Sequence, residues 1–314
     1  MYPEPRPAPC PGAYYEYNNR MNINRRSLLI AGAALASTWR AHSQNSGDVI
    51  IVQQVVDRIK AKVGIPWLAE TVDGLIVGSP GIQVHGIATT AMATLDVLQR
   101  AAAASLNMVI THEPTFYSHQ DATGPLAKDP TYLAKREFMA AHEIVIFRLH
   151  DHWHGMTPDG IDTGMRYELG WDGHQVANSD GEFTFATSQL REFSAAMAAR
   201  LGARSMRIIG DPKLPIRRVI ASWGYSSLMP DLIKAAARPD VDLIVVGETR
   251  EWELVEYVQD QIAAGANKAL IILGHVTSEQ GGMKYCAKWM KDFIPEVPVE
   301  FVPAAEPFYQ LKQR

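Results

Sequence analysis

Glu143-Ile-Val-Ile-Phe-Arg-Leu149, followed at once by His150-Asp-His-Trp-His154, decides how the chain reads. The first seven residues, rich in β-branched and aromatic side chains, describe a short buried strand. Three imidazoles and a carboxylate then fall within the five residues past its end. Side chains alternate faces along a strand, but the first residues beyond it can turn inward together. Nitrogen and oxygen donors gathered there are the makings of a metal site.

The same rhythm recurs outward from this stretch. Upstream, the spacing of Ile51, Val55, Val56 and Ile59 predicts a helix from Val49 to Lys62, stopped at Gly64-Ile-Pro66. Residues 73–80, punctuated by glycine and proline, predict loop and turn around a short strand. Gln83 to Thr89 is a candidate strand, Ala91 to Ser105 an alanine-rich helix, and Asn107 to Thr111 a strand ending at His112-Glu-Pro114. Asp129 as cap and Pro130 in the first turn begin a helix running to His142. Downstream, a helix is expected over Ile161 to Leu169, closed by Gly170.

Residues 171–215 carry little pattern apart from a helix over Gln189 to Leu201, capped by Ser188. The alternation then returns, with strands at Arg217–Ser222, Val241–Val246, Lys268–Leu273 and Val297–Val302. Helices at Pro230–Ala237, Trp252–Ala263 and Ser278–Phe293 lie between them. Strands and helices alternating at these lengths imply βαβ units, hence an α/β fold of mostly parallel sheets flanked by helices.

A chain of 314 residues, 47% hydrophobic, can bury a sizeable core and suggests roughly two domains. Residues 1–43 read as a leader. Arg25-Arg26 precede a short apolar segment, Ile30 to Ser37, and a small-residue exit near Ala41-His-Ser43. That segment is far short of the ~20 residues a bilayer span needs. The arrangement resembles a twin-arginine export signal, with Met21 as an alternative start; the plainer reading is a basic N-terminus. Export would place the mature chain in the periplasm. Without the leader, five arginines and two glutamates leave totals of 30 basic and 34 acidic residues, so 25 face 32 and the net charge is −7 with histidine neutral. This balance argues against nucleic acid or an anionic membrane as main partner, because both need a basic footprint. Cys10 leaves with the leader, so Cys286 stands alone and no internal disulfide is available.

Four polar groups directly follow four apolar runs: His112-Glu113, His150 to His154, Glu248, and His275 to Glu279. In an open α/β sheet, ligands bind at the carboxyl ends of the strands. One histidine at a strand end is most often a satisfied core or loop residue, but donors at four strand ends point to a metal site. A helix starting at Ser278 would put Glu279 in its first turn, facing His275 across the loop. The helix N-terminus alone favours a carboxylate there, yet it does not account for the adjacent histidine. Nitrogen and oxygen donors without thiolate suit zinc, manganese, iron or cobalt. His85, His119, His142 and His174 have no partner at ligand spacing and read as strand, helix-end or loop residues. Ser226-Ser227 is a weak match to a phosphate-binding turn; the sequence has no P-loop, Gly-x-Ser-x-Gly elbow or Cys–His pair.

Five elements, in order, resemble a known family. Asp73-Gly-Leu-Ile-Val-Gly78 resembles its Asn-x-Gly-Leu-x-x-Gly element, Thr111-His-Glu-Pro114 its His-His-Pro motif, and His150 with His154 its His-x-x-x-Asp motif. Gly247-Glu248 resembles its Gly-Glu motif, and Gly274-His275-x-x-x-Glu279 its Gly-His-x-x-x-Glu, the most specific of the five. The family is that of the Nif-three-like dinuclear metal proteins, often labelled GTP cyclohydrolase I type 2, and the resemblance runs from about Val49 to Pro307.

The resemblance implies two α/β lobes, here residues 44–175 and 176–314, with a two-metal site between them at strand carboxyl ends, and a toroidal homohexamer. The implied ligands are His112, Glu113, His154, His275 and Glu279, for one or two divalent ions per chain. Glu113 stands where the family has a second histidine, His154 where it has an aspartate, and Glu251-Trp252 where it has a histidine pair. Three imidazoles and two carboxylates remain, exchanged between two positions. A neutral imidazole does not bridge two metals as a carboxylate does, so bridging falls to Glu279 or Glu113, and a mononuclear site stays open beside a dinuclear one.

Such a site lowers the pKa of bound water toward about 7 and polarises a carbon or phosphorus centre. The expected function is hydrolysis of a small-molecule substrate, of the cyclic-amidine (GTP cyclohydrolase) or phosphoester type, by hydroxide on the metal. Glu248 or His150 would handle protons, and Asp151 and His152 would orient ligands. Tyr117 and Trp153 are candidates to line a pocket, Trp153 more readily as a buried residue. The alternatives are a non-catalytic metal-binding or storage ring, and an interaction scaffold with a structural site.

Overall fold

The apolar runs and amphipathic stretches fold as two five-stranded mixed sheets flanked by helices, an α/β architecture. The structure is a computed structural model that describes residues 49–177, 179, 181–225 and 229–310. The expected export signal, residues 1–43, and the Ser226-Ser227 pair lie outside the described residues.

In chain order, α1 (Val52–Lys62), β1 (Gly74–Val77), β2 (Ile87–Thr90), α2 (Leu95–Ala103) and β3 (Met108–Thr111) come first. Next are α3 (Pro130–Ala141), β4 (Val145–Arg148), the short α4 (Asp151–Gly155), α5 (Gly160–Leu169), β5 (Glu182–Gln189), α6 (Leu190–Leu201) and β6 (Arg207–Ile209). The last third holds β7 (Pro215–Tyr225), α7 (Met229–Ala237), β8 (Leu243–Glu248), α8 (Glu256–Ala263), β9 (Ala269–Ile272), α9 (Gln280–Lys291) and β10 (Val299–Phe301).

The first sheet has the order β1-β4-β3-β2-β10, parallel except for β1 on its edge. The second has the order β5-β7-β8-β9-β6, with β5 and β6 as antiparallel edges of a parallel centre. β10 returns from the end of the chain to pair with β2. Alternation sorts the strand residues between faces. Val145 and Phe147 of β4, with Val245 of β8 and Ile271 of β9, join a central core shared with α1, α5, α6 and α9. Ile146 faces the other way, toward α2 and α3, and Ile244 and Val246 face α7 and α8. Each large apolar side chain so buried contributes about 1.5–3 kcal/mol.

The expected elements recur, with informative differences. β5 and β6 fall in the stretch that carried little pattern, because edge strands bury one face or less; β6 is exposed or half-buried throughout. Ser188 lies inside β5 rather than capping a helix, and Gln189 is the N-cap of α6. The expected helix from Ser278 divides into a 3-10 turn, Val276–Ser278, and α9, with Glu279 as the N-cap between them. Glu279 makes no capping hydrogen bond with its side chain, which leaves the carboxylate available elsewhere.

Candidate metal centre

Four of the parallel strands, β3, β4, β8 and β9, end beside one another, and the residues immediately past or at their ends meet. His112 and Glu113 continue the pairing of β3 for two residues, their amides donating to Thr90 and Ala91 carbonyls at 3.1 and 2.8 Å. After β4 the chain turns into α4, a helix barely longer than one turn, and a distant residue makes this possible. The Asp73 carboxylate accepts from the amides of His150, Asp151 and His152 at 2.5, 3.0 and 2.9 Å, satisfying the free donors of the helix start. Asp73 also accepts from His152 Nδ1 at 2.6 Å, while His152 Nε2 accepts from the Leu68 amide at 2.9 Å. The His152 ring stacks on Trp67 at 3.6 Å. His152, expected to orient a ligand, is thus a buried structural residue pointing away from His150 and His154, the neighbouring histidines two positions to either side.

Those neighbours point inward. Rings of His112, His150 and His154 approach each other at 4.5 to 5.0 Å between centroids. Each has its Nδ1 engaged: His112 with the Leu149 carbonyl at 3.2 Å, His150 with Asp151 and His154 with Asp159, both at 2.9 Å. Carbonyl and carboxylate oxygens accept, so each Nδ1 carries a hydrogen, and Nε2 is the nitrogen left to ligate a metal when the ring is neutral. Burial pushes the His150 pKa down to about 4, with His112 adding to the effect and Asp151 opposing it, so the ring is neutral at neutral pH. Burial also works against the charged form of His154, but the Asp159 carboxylate overrides it and the net shift is upward.

The carboxylates close the other side. His112 Nε2 lies 3.7 Å from Glu279 Oε1, and neither His112 Nε2 nor Glu279 Oε2 has a hydrogen-bond partner although both are buried. Leaving two such buried polar atoms without a hydrogen bond is costly for a protein alone. A cation between them removes that cost. The donor set thus fits a divalent ion, and two compact groups could hold one: His112, His150 and His154, or His112, Glu113 and Glu279, each with ligand atoms within 4.8 Å of one another.

His275 stands beside the second group. Its Nε2 donates to Glu113 Oε1 at 3.1 Å and lies 3.3 Å from Glu279 Oε2, while its Nδ1 donates to Glu248 Oε2 at 2.9 Å. Burial would lower its pKa, but Glu113 and Glu279 raise it to about 11. In return, both glutamates are held below the usual carboxylate range despite their burial, Glu113 by His275 and Glu279 by His112 and His275. Without a metal, a proton on His275 provides the positive charge between the carboxylates.

Close backbone approach makes room for this. Gly224, at φ +66, sits where a Cβ would lie 2.0 Å from Glu279 Oε1, and Gly247 where one would lie 2.1 Å from Ser278 Oγ. Gly247 is the glycine of the Gly-Glu motif, so that motif is a steric requirement of the turn carrying His275.

Of the expected ligands, His112, Glu113, His154 and Glu279 belong to one compact group or the other, and His275 touches both glutamates. His150, read from sequence as a proton carrier, lies in the three-histidine group. Glu248 is exposed and bonds His275 from behind. Asp151 holds His150, as an orienting residue should. Glu251 pairs with Arg207 on the surface and Trp252 is 71% exposed, so the family's missing histidine pair has no substitute among these residues. Trp153 is fully buried.

Three further residues take part, among them His119, expected from the sequence to be a plain loop residue. Asp159 caps α5 through Oδ1 at Ile161 and Asp162, and its Oδ2 also holds His154. His119 lies 5.9 Å from His150. Arg148, fully buried in β4, donates from Nε to the His112 carbonyl at 3.1 Å and from Nη1 to the His119 carbonyl. Its Nη2 lies 3.8 Å from Glu113 Oε2 and Nη1 3.8 Å from Asp121 Oδ2. One guanidinium thus ties down both ends of the loop that carries His112, Glu113 and His119. An inward-facing polar residue in an apolar run is the only trace of this in the sequence.

The centre opens into a cleft of about 1060 Å³ that reaches Asp159, Asp162, Glu182, Trp223 and Asp231.

Residues 51–307 match the model of a family described as DUF34/NIF3 (NGG1p interacting factor 3). A protein of Chlamydia pneumoniae named GTP cyclohydrolase 1 type 2 homolog is 22% identical over 247 residues, which cover 75% of this chain and 90% of that one. Among solved structures, a hypothetical protein of Staphylococcus aureus superposes with a TM-score of 0.66 at 17% identity, covering 84% of this chain and 100% of the other. A Bacillus cereus protein related to NIF3 superposes with a TM-score of 0.62 at 14% identity, covering 84% and 99%. At these identities the structural likeness speaks for the fold alone.

Proposed function

Because the chain belongs to the DUF34/NIF3 family and gathers four histidines and two glutamates at one set of strand ends, we propose that it is a divalent-metal protein acting as a metal-dependent hydrolase. The observation that carries this reading is that two buried atoms, His112 Nε2 and Glu279 Oε2, make no hydrogen bond and lie in a group whose ligand atoms fall within 4.8 Å of one another. A divalent ion bound there supplies acidified water and polarises a substrate carbon or phosphorus centre. His112, Glu113, His154, His275 and Glu279 would hold it, with His150 added to them by its place in the three-histidine group. His112 has one nitrogen free, so it serves one ion. The two compact groups that share it would hold either one ion in alternative seats or two ions.

The chain's own residues divide the remaining work. Asp151, Asp159 and Glu248 orient His150, His154 and His275. His119, exposed at the rim, makes no side-chain hydrogen bond among the described residues and is placed to exchange protons with substrate. The relative's name suggests a purine ring as substrate. No lysine or arginine is among the described residues lining the larger cleft, and the cations beside it are committed, with Arg166 paired to Asp162, Arg218 and Arg238 to Glu182 and Lys234 to Asp231, which disfavours a triphosphate there. The reading includes a homohexamer, to be checked by light scattering, and periplasmic export, to be checked by fractionation.

The test is metal content of the purified protein together with turnover of nucleotides, phosphodiesters and cyclic amides, before chelation, after it and after metal is restored. Turnover that disappears and returns with the metal is the expected result. Tight metal without turnover would favour the storage ring, and absence of metal would defeat both.

Metal uptake should also release a proton. His275 is protonated up to about pH 11 in the metal-free protein, and a ligand must be neutral. Apparent affinity is therefore expected to rise about tenfold per pH unit between pH 6 and 8 if one proton is displaced. Calorimetry in buffers of different ionisation enthalpy reads the proton count; a pH-independent affinity would remove His275 from the ligand set.

A further inference from the structure

On its other side the centre opens into a second cleft, of about 780 Å³, which the reading above leaves unused. Glu113 and His275 form its inner end, and Thr115, Tyr117, Lys135 and Arg250 are among its walls. Lys135, on α3, is only 4% exposed. Its Nζ donates to the Thr115 carbonyl at 2.6 Å and lies 5.4 Å over the Tyr117 ring, but forms no salt bridge among the described residues. Asp121, the acidic group that acts on it, is turned toward Arg148. An ammonium has three donors, so two remain for a ligand.

Two further observations point the same way. Thr115 is 2% exposed and its Oγ1 has no hydrogen-bond partner, an orphan on the residue that already accepts from Lys135. Tyr117 holds φ +61, a conformation bulky residues rarely adopt, and is 61% exposed with its ring beside the ammonium. Strain of that kind marks functional loops more often than scaffolds. Burial pushes the Lys135 pKa down to about 8, with Asp121 only partly opposing, so the charge lacks a close counter-ion.

We propose that this cleft is a subsite for an anionic group of the substrate, a carboxylate or a phosphate, bound by Lys135 Nζ and Thr115 Oγ1 beside the Tyr117 ring. The adjoining part of the substrate then faces Glu113 and His275. Arg250 lines the same cleft but is already paired with Glu253 at 3.1 Å, so it adds field rather than a free donor. The two clefts together give the substrate a direction, with its anionic end toward Lys135 and its other end toward the larger cleft. This deepens the hydrolase reading and rests on it for the word substrate.

The test is calorimetric titration of the full chain with inorganic phosphate and with succinate, after chelation and after reloading with zinc. Wild type, Lys135→Met and Thr115→Val are compared. At least one anion is expected to bind both forms of the wild type, and the tighter of the two identifies the source. The dissociation constant should rise about tenfold or more in Lys135→Met and about threefold in Thr115→Val, with zinc stoichiometry unchanged. Equal affinity in all three proteins, binding of neither anion, or binding that needs zinc and ignores both substitutions would each overturn the subsite. Zinc stoichiometry in the same samples keeps the hypotheses apart: a wild type that takes up no metal sinks the hydrolase reading, while anion binding independent of Lys135 sinks only the subsite.

Discussion

Glu279→Gln is expected to lower metal affinity by at least about 100-fold while leaving the fold intact. Changes to the groups that merely orient ligands cost about 10–100-fold, and Glu279 is placed to ligate directly. It contributes one of the oxygens within 4.8 Å of the His112 and Glu113 donors, it is 2% exposed, and its Oε2, 3.3 Å from His275 Nε2, makes no hydrogen bond. Glutamine keeps the shape that Gly224 accommodates but withdraws the negative charge. It also removes one of the two carboxylates that hold the proton on His275. Competition with a chromophoric chelator reads the affinity, and far-UV circular dichroism confirms the fold. Wild-type affinity in a folded variant would remove Glu279 from the centre and with it the proposed function.

Arg148→Met should be the most destabilising substitution near the site, by about 3–5 kcal/mol, which for a chain of this size is on the order of 10 °C in Tm. The methionine fills the space yet leaves the His112 and His119 carbonyls without their donor, and Glu113 and Asp121 without the nearby positive charge. Arg148→Lys keeps the charge without the planar fork, so an intermediate loss is expected. Thermal unfolding should be followed in chelator, because bound metal stabilises the folded state by mass action and would mask part of the difference. A loss no larger than that of an ordinary surface substitution would show that the loop is held by its neighbours instead.

Much of the fold was legible because it is local. The runs that became β3, β4, β8 and β9 are apolar on both faces, as central parallel strands must be. β5 and β6 were not legible, because an edge strand with one wet face carries half the signal or less. In the site, His112, Glu113, His275 and Glu279 could be located since each sits at a strand end or just past it. The roles of the His150 to His154 cluster could not be assigned so far ahead. Adjacent residues on a short helix point in different directions, and hydrogen bonds sort them: Asp73 draws His152 out, while Asp151 and Asp159 turn His150 and His154 in.

The sequence by itself determined the α/β alternation, the strand ends where donors collect, and the mixed nitrogen and oxygen chemistry of those donors. These follow from periodicity and residue type, which act over a few positions along the chain. Only the tertiary structure decided which imidazoles face one another, that Arg148 clamps the ligand loop, and that Lys135 and Thr115 meet in a second cleft. Each of those depends on directional contacts between residues up to about 160 positions apart, as between Glu113 and His275, and a hydrogen bond's direction leaves no periodic mark in a sequence.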